Sequence, residues 1–195
     1  MRIKALIQAL TGTSHIVCES IETDAAGTIN IIAHPDSKSQ YRCGICGKKS
    51  PRYDNGGGTR KWCCLDTGEA KAYVVADAPH VCCKEHGVVT AFVPWARHKS
   101  RFCSSFEDTV AWLAVNSTKK CVAELMRIEW HTVGEILSRV YKELEKKPSK
   151  RFDNLVNIGI DETSYKKGHK YMTVVVNHDT NSVIWCSIGH KKGGS

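Results

Sequence analysis

Two groups of residues in this chain have types and spacings suited to chemistry. In "YRCGICGKKS", Cys43 and Cys46 are separated by two residues, with Gly44 and Gly47 around them. Two thiolates can then face one ion while glycine relieves the tight turn. "HVCCKEHG" offers the second pair: Cys83 and His86 repeat the two-residue gap, whereas Cys82 and His86 are separated by three. The matched spacing favours Cys83, and Cys63 and Cys64 in "RKWCCLD" are the other candidates. Sulfur and nitrogen donors in two such corners suit a structural Zn2+, which takes four ligands. A single C-x-x-C could be a redox pair, but a downstream C-x-x-H in a basic chain points to zinc. Cys18, Cys103, Cys121 and Cys186 stand alone and are expected as buried thiols.

The second group is acidic. "NIGIDETSYKKGHKYMTVVVNHDT" starts as a short apolar strand, expected to be buried, with Asp161 and Glu162 at its tip. "KYMTVVVNHD" and "SVIWCS" then read as two more strands around the turn "HDTNS". Three strands with an acid on the first open a ribonuclease-H-like core, where several carboxylates hold two Mg2+ ions for phosphodiester cleavage. Local acids do not complete such a site. Glu162 points to the opposite strand face, and Asp179 is expected roughly 20 Å away, against an ion spacing of about 3.5–4 Å.

The elements that must position these residues begin with a short helix over 2–10. "HIVCESIET", "DAAG" and "TINIIAHP" follow as a β-hairpin, and "AKAYVVADAP" as a further strand. From Phe106 the apolar period becomes helical and stays so to Leu144. "SSFEDTVAWLAV" places Ser104 and Glu107 at capping-box spacing, with Phe106, Val110 and Leu113 inward. "STKKCVAELM" turns Val122, Leu125 and Met126 inward, and a third helix from Trp130 carries Val133, Ile136, Leu137, Val140 and Leu144. A short helix, a tight turn and a longer basic helix suit a helix-turn-helix. His131, Thr132, Glu135 and Arg139 would face the major groove or its rim, and Lys119, Lys120 and Arg127 would hold phosphates. A polar link, 145–151, precedes the acidic strands.

Charge agrees with a polyanionic partner. The net charge is +8 over 195 residues, and residues 96–151 carry 12 Lys/Arg against 7 Asp/Glu. No run of about 18 apolar residues could span a membrane. The N-terminus lacks the pattern of a signal peptide, so the ten cysteines are expected in a reducing cytoplasm.

These blocks, in the order zinc knuckle, helix-turn-helix and acid-bearing strands, resemble the bacterial DDE transposases of the ISL-three group over roughly 41–190. The resemblance implies an α+β multidomain chain. Its parts would be a helix and β-hairpin (1–40), a zinc-binding domain (41–95), a helix-turn-helix domain (96–150) and the start of a ribonuclease-H-like core (151–195). It further implies binding of double-stranded terminal-repeat DNA beside the nucleoid, with a homodimer as an assembly it allows. Asp161 falls on the first acid of the family's triad, and Cys43, Cys46, Cys83 and His86 fall on its zinc ligands. The second Asp and the final Glu fall beyond residue 195, so Mg2+ catalysis is expected only of the longer protein. Glu129 stands where the family has a better N-cap, with Thr132 and Glu135 able to form a substitute box. Asn177 stands where the family tends to have Asp. A DNA-binding repressor of transposition and a zinc-stabilised protein-interaction module are the alternatives.

Overall fold

The computed structural model describes residues 3–145, 152–166 and 170–189. The chain divides into two compact units, Met1–Glu143 and Leu144–Ser195.

The first unit opens with α1 (Ile3–Thr11), whose buried Thr11 hydroxyl donates to the Ile7 carbonyl at 2.8 Å. Gly12, at φ +73°, makes the exit from the helix. The hairpin of β1 (Ile16–Thr23) and β2 (Ile29–Pro35) forms as the sequence suggests, with a bulge between Cys18 and Ser20. Asp24 nucleates its turn by accepting from the amides of Ala26 and Thr28.

This hairpin is not a separate domain. β2 pairs in parallel with β5 (Ala72–Asp77), and β4 (Thr59–Cys63) adds antiparallel to β5, giving the order β1-β2-β5-β4. The expected boundary at residue 40 therefore cuts through one sheet. The physical reason is shared burial: Ile16, Ile31, Trp62, Val74 and Trp95 occupy one core, with Trp62 and Trp95 edge to face at 5.6 Å. Cys64 and Cys103 meet in that core, wholly buried, with their sulfurs 2.8 Å apart. A smaller sheet, β3 (Arg52–Asp54), β6 (His80–Cys83) and β7 (Gly87–Thr90), lies in the order β3-β6-β7.

Three helices follow: α2 (Ser104–Asn116), α3 (Lys119–Met126) and α4 (Trp130–Glu145). Phe102, Phe106, Val110, Val122, Val133, Ile136 and Val140 form their core, with Phe102 stacked on Phe106 at 4.9 Å. Thr118 caps α3 by accepting from the Cys121 amide at 3.3 Å. Arg127 closes it in the left-handed region at φ +54°. Leu125 and Leu144, expected inward, are exposed because the helices bury narrower stripes than the full apolar pattern.

The capping box expected of Ser104 and Glu107 does not form. Cys103 is the N-cap, without a side-chain cap. Glu107, wholly buried, instead accepts from Ser100 Oγ at 2.7 Å, Arg97 Nη1 at 3.2 Å and Arg139 Nε at 2.8 Å. A desolvated carboxylate is tolerable only with such partners. The substitute box on α4 fails too, because Thr132 is buried within the helix.

The second unit is an antiparallel sheet of β8 (Ile158–Lys166), β9 (Lys170–Asn177) and β10 (Ser182–Gly189), in the order β10-β9-β8. The strand expected to be buried is not: Ile158 and Ile160 are exposed, the latter by 67%. Beyond Glu145, the 145–151 link lies outside the described residues.

Glu107→Ala is expected to destabilise the first unit by about 3–5 kcal/mol, because it leaves Arg97 and Arg139 half-buried without their shared anion. Denaturant unfolding followed by tryptophan fluorescence checks this.

Candidate metal centre and nucleic-acid interface

The first knuckle is built by its own backbone. The Cys43 amide donates to Lys48 O at 2.8 Å, and the Gly47 amide to Cys43 O at 2.8 Å with Gly47 at φ +71°. This fold-back turns the Ile45 amide towards Cys43 Sγ at 3.4 Å. The second knuckle is the turn of the β6–β7 hairpin, in which Cys83 pairs with Gly87. A Lys48–Glu85 ion pair ties the two turns together.

Cys43, Cys46, Cys83 and His86 then converge, each offering one donor atom, all within 4.8 Å of one another. Cys46 Sγ lies 3.8 Å from Cys83 Sγ, and His86 Nδ1 lies 3.7 Å from Cys43 Sγ and 3.6 Å from Cys83 Sγ. A tetrahedron with Zn–S arms of about 2.3 Å has edges of about 3.8 Å, so the spacing fits a tetrahedral ion. Three sulfurs and one nitrogen suit Zn2+ and offer nothing to oxygen-seeking Mg2+ or Ca2+. The Glu85 amide and the His86 ring lower the Cys83 thiol to about 6, which favours the thiolate a metal needs. Cys46 is raised: the Lys48 amide pulls it down, but burial and the neighbouring thiols outweigh that.

The other cysteines are elsewhere. Cys82 is exposed and Cys63 is half-buried, its thiol pushed by burial to about 11. Cys103 is buried as expected, whereas Cys121 and Cys186 are exposed.

The structure divides the residues expected at DNA. Lys120 is open, its side chain 84% exposed and 4.0 Å from Glu124. Lys119 Nζ sits 5.2 Å from the Trp130 ring centroid, and His131 and Glu135 are exposed on α4. Thr132 is only 2% exposed and cannot reach a base, because it shares the buried face of Val133, Ile136 and Val140. Arg139 is held by Glu107 rather than facing a groove. Arg127 pairs with Asp66, which pins the turn between α3 and α4 to the loop after β4.

Asp161 is not at a strand tip. It sits within β8, opposite Val174, because the strand continues to Lys166. Glu162 accepts from Thr173 Oγ1 at 3.1 Å, with its side chain on the other face. Asp179 is nearer than expected, since it accepts from Asn157 Nδ2 at 2.8 Å beside the start of β8. Asp161 is still four positions beyond Asn157, roughly 13 Å along the strand.

The family model described as the zinc-finger of transposase IS204/IS1001/IS1096/IS1165 matches residues 39–86. The helix-turn-helix domain of transposase family ISL3 matches 93–141, and a transposase model of the same family matches 158–193. The chain is 47% identical over 198 residues to the transposase for insertion sequence element IS1557 of Mycobacterium tuberculosis. That match covers 98% of this chain and 44% of the relative, so the chain spans less than half of that relative's length. It is 24% identical over 98 residues to the transposase for IS1001 of Bordetella parapertussis, covering 50% of this chain and 24% of that protein. No solved structure matches.

Cys46→Ser is expected to abolish stoichiometric zinc and to unfold the knuckles, while Cys82→Ser retains the metal. Metal analysis with far-UV circular dichroism of both variants checks this, and full zinc in Cys46→Ser would show that the donors are others.

Proposed function

We propose that this chain, which belongs to the ISL3 family of transposases, recognises the double-stranded ends of an insertion sequence through its zinc ribbon and helix-turn-helix. The observation that carries this is the exposed start of α3 and α4, where Lys119, Lys120 and His131 stand together on the motif that the family model matches. The lysines would hold phosphates and set register, and His131 would face base edges in the major groove with Glu135 near it. Cys43, Cys46, Cys83 and His86 would hold the structural Zn2+ that keeps the ribbon folded.

Strand cleavage and transfer belong to the longer protein in this reading. Asp161 would hold Mg2+ there together with further carboxylates. Among the described residues, neither Glu162 nor Asp179 can share an ion with it. The bound Mg2+ pair would supply activated water and stabilise the leaving oxygen. The ribonuclease-H-like topology, the homodimer and a place at the nucleoid are parts of the same proposal.

A repressor that occupies the ends without cutting them is the second reading. It is favoured by the ribbon and helices closing their cores in a unit separate from the acid-bearing sheet.

Binding to a terminal-repeat duplex is expected to fall steeply with salt, because counterions are released from the phosphates. Lys120→Ala should lower the salt slope by about one on any sequence, whereas His131→Ala should reduce the preference for the repeat. Asp161→Asn should bind normally, and the 195-residue chain should nick no end DNA in Mg2+ or Mn2+. Titrations by fluorescence anisotropy and a strand-cleavage assay test these outcomes. Cleavage that disappears in Asp161→Asn would overturn the catalytic part.

A further inference from the structure

A cleft of about 600 Å3 lies among Gly44 and Ile45 of the first knuckle, β7, β4, the loop from Ala96 to Phe102, and α4. Its walls are basic, but not all of that charge is available. Arg97 and Arg139 are committed to Glu107. Burial and the neighbouring Lys99 hold His98 below its usual range, so its ring is neutral at pH 7. Arg60, Lys99 and Arg101 remain, all exposed and none in an ion pair among the described residues. Lys61, next to Arg60 on β4, points to the other strand face, where its Nζ donates to Asn30 Oδ1 at 3.1 Å, and the Arg101 guanidinium lies 5.8 Å from the Phe102 ring centroid. Glu135 is the one acid in the lining among the described residues.

The wall is fixed where the knuckle meets the loop. A Cβ on Gly44 would stand 2.5 Å from the Thr90 carbonyl oxygen and 2.7 Å from His98 Nδ1, so the backbone there packs directly on the basic loop. Lys99 sits in the left-handed region at φ +62°, a conformation that a lysine adopts at some energetic cost. Unpaired cations against a low-dielectric concave wall concentrate positive potential.

We propose that this cleft takes the phosphate backbone of one strand of duplex DNA. It would be a second contact, separate from the exposed start of α4, through which the zinc ribbon and the helices hold one duplex together. The inference rests on reading the chain as a DNA-binding protein. Arg60 and Arg101 can each meet a phosphate with two parallel N–H donors, and Lys99 acts as a point charge. Contacts of this kind fix position without reading sequence.

The test compares salt dependence in the 195-residue chain, using a terminal-repeat duplex and an unrelated duplex of equal length. Lys99→Asn with Arg101→Gln should make the salt slope shallower by about two on both duplexes. Arg60→Gln, which enters the cleft from β4, should make it shallower by about one. Lys38→Gln with Lys49→Gln removes equal charge from exposed positions outside the cleft and should leave the slope unchanged. Zinc content and circular dichroism matching the parent establish that the variants are folded. If both cleft variants behave like the control pair while Lys120→Ala still weakens binding, the cleft is not a DNA contact although the helix-turn-helix is. If the parent chain binds neither duplex, both readings fall.

Discussion

The first unit depends on a carboxylate that has no access to water. Glu107 lies on α2 with its side chain wholly buried, and an anion in that position requires cations brought to it from elsewhere in the chain. Arg97 and Ser100 come from the loop that leaves the zinc ribbon, and Arg139 comes from the middle of α4. Arg97 also reaches Asp108 and Glu143. One charge therefore fixes the loop, the first helix of the motif and the last helix relative to one another. The same arrangement removes two arginines from the surface available to DNA and leaves Lys99 and Arg101, close to Arg97 in sequence, exposed.

The zinc ribbon is held differently. Its sheet β3-β6-β7 is short, and few of its side chains are buried, Val81 among them. A module of that size has little apolar area to offset the entropy of ordering its turns. Four converging donors can supply what packing does not. Gly44 then carries the consequence outward, since the metal-binding turn lies against His98. Loss of the metal would loosen one wall of the basic cleft as well as the ribbon.

Local features were legible in the sequence because they rest on short-range rules. The two-residue gaps at Cys43/Cys46 and Cys83/His86, the Asp24 turn and the three helices all follow from spacing, turn chemistry and period. What was hidden depends on partners distant in the chain. Nothing near Arg139 reveals that Glu107, 32 positions earlier, will claim it. The burial of Thr132 turns on the phase of α4, which apolar residues at 133, 136 and 140 leave uncertain by one position. The parallel pairing of β2 with β5 joins segments about forty residues apart, which a reading by local period cannot see. Asp161 lies inside β8 and not at its tip, because the strand runs on through the polar Glu162, Thr163 and Ser164. Both faces of a strand can stay polar where the sheet is exposed, so a run of polar residues does not mark its end.

In the proposed function, the zinc ribbon and the helix-turn-helix act on DNA as one body. Footprinting of the 195-residue chain on a terminal-repeat duplex, before and after zinc is removed by a chelator, tests it most directly. Protection is expected to be lost with the metal and to return when Zn2+ is restored. Undiminished protection by the zinc-free protein would contradict it, because the helices would then bind without the ribbon.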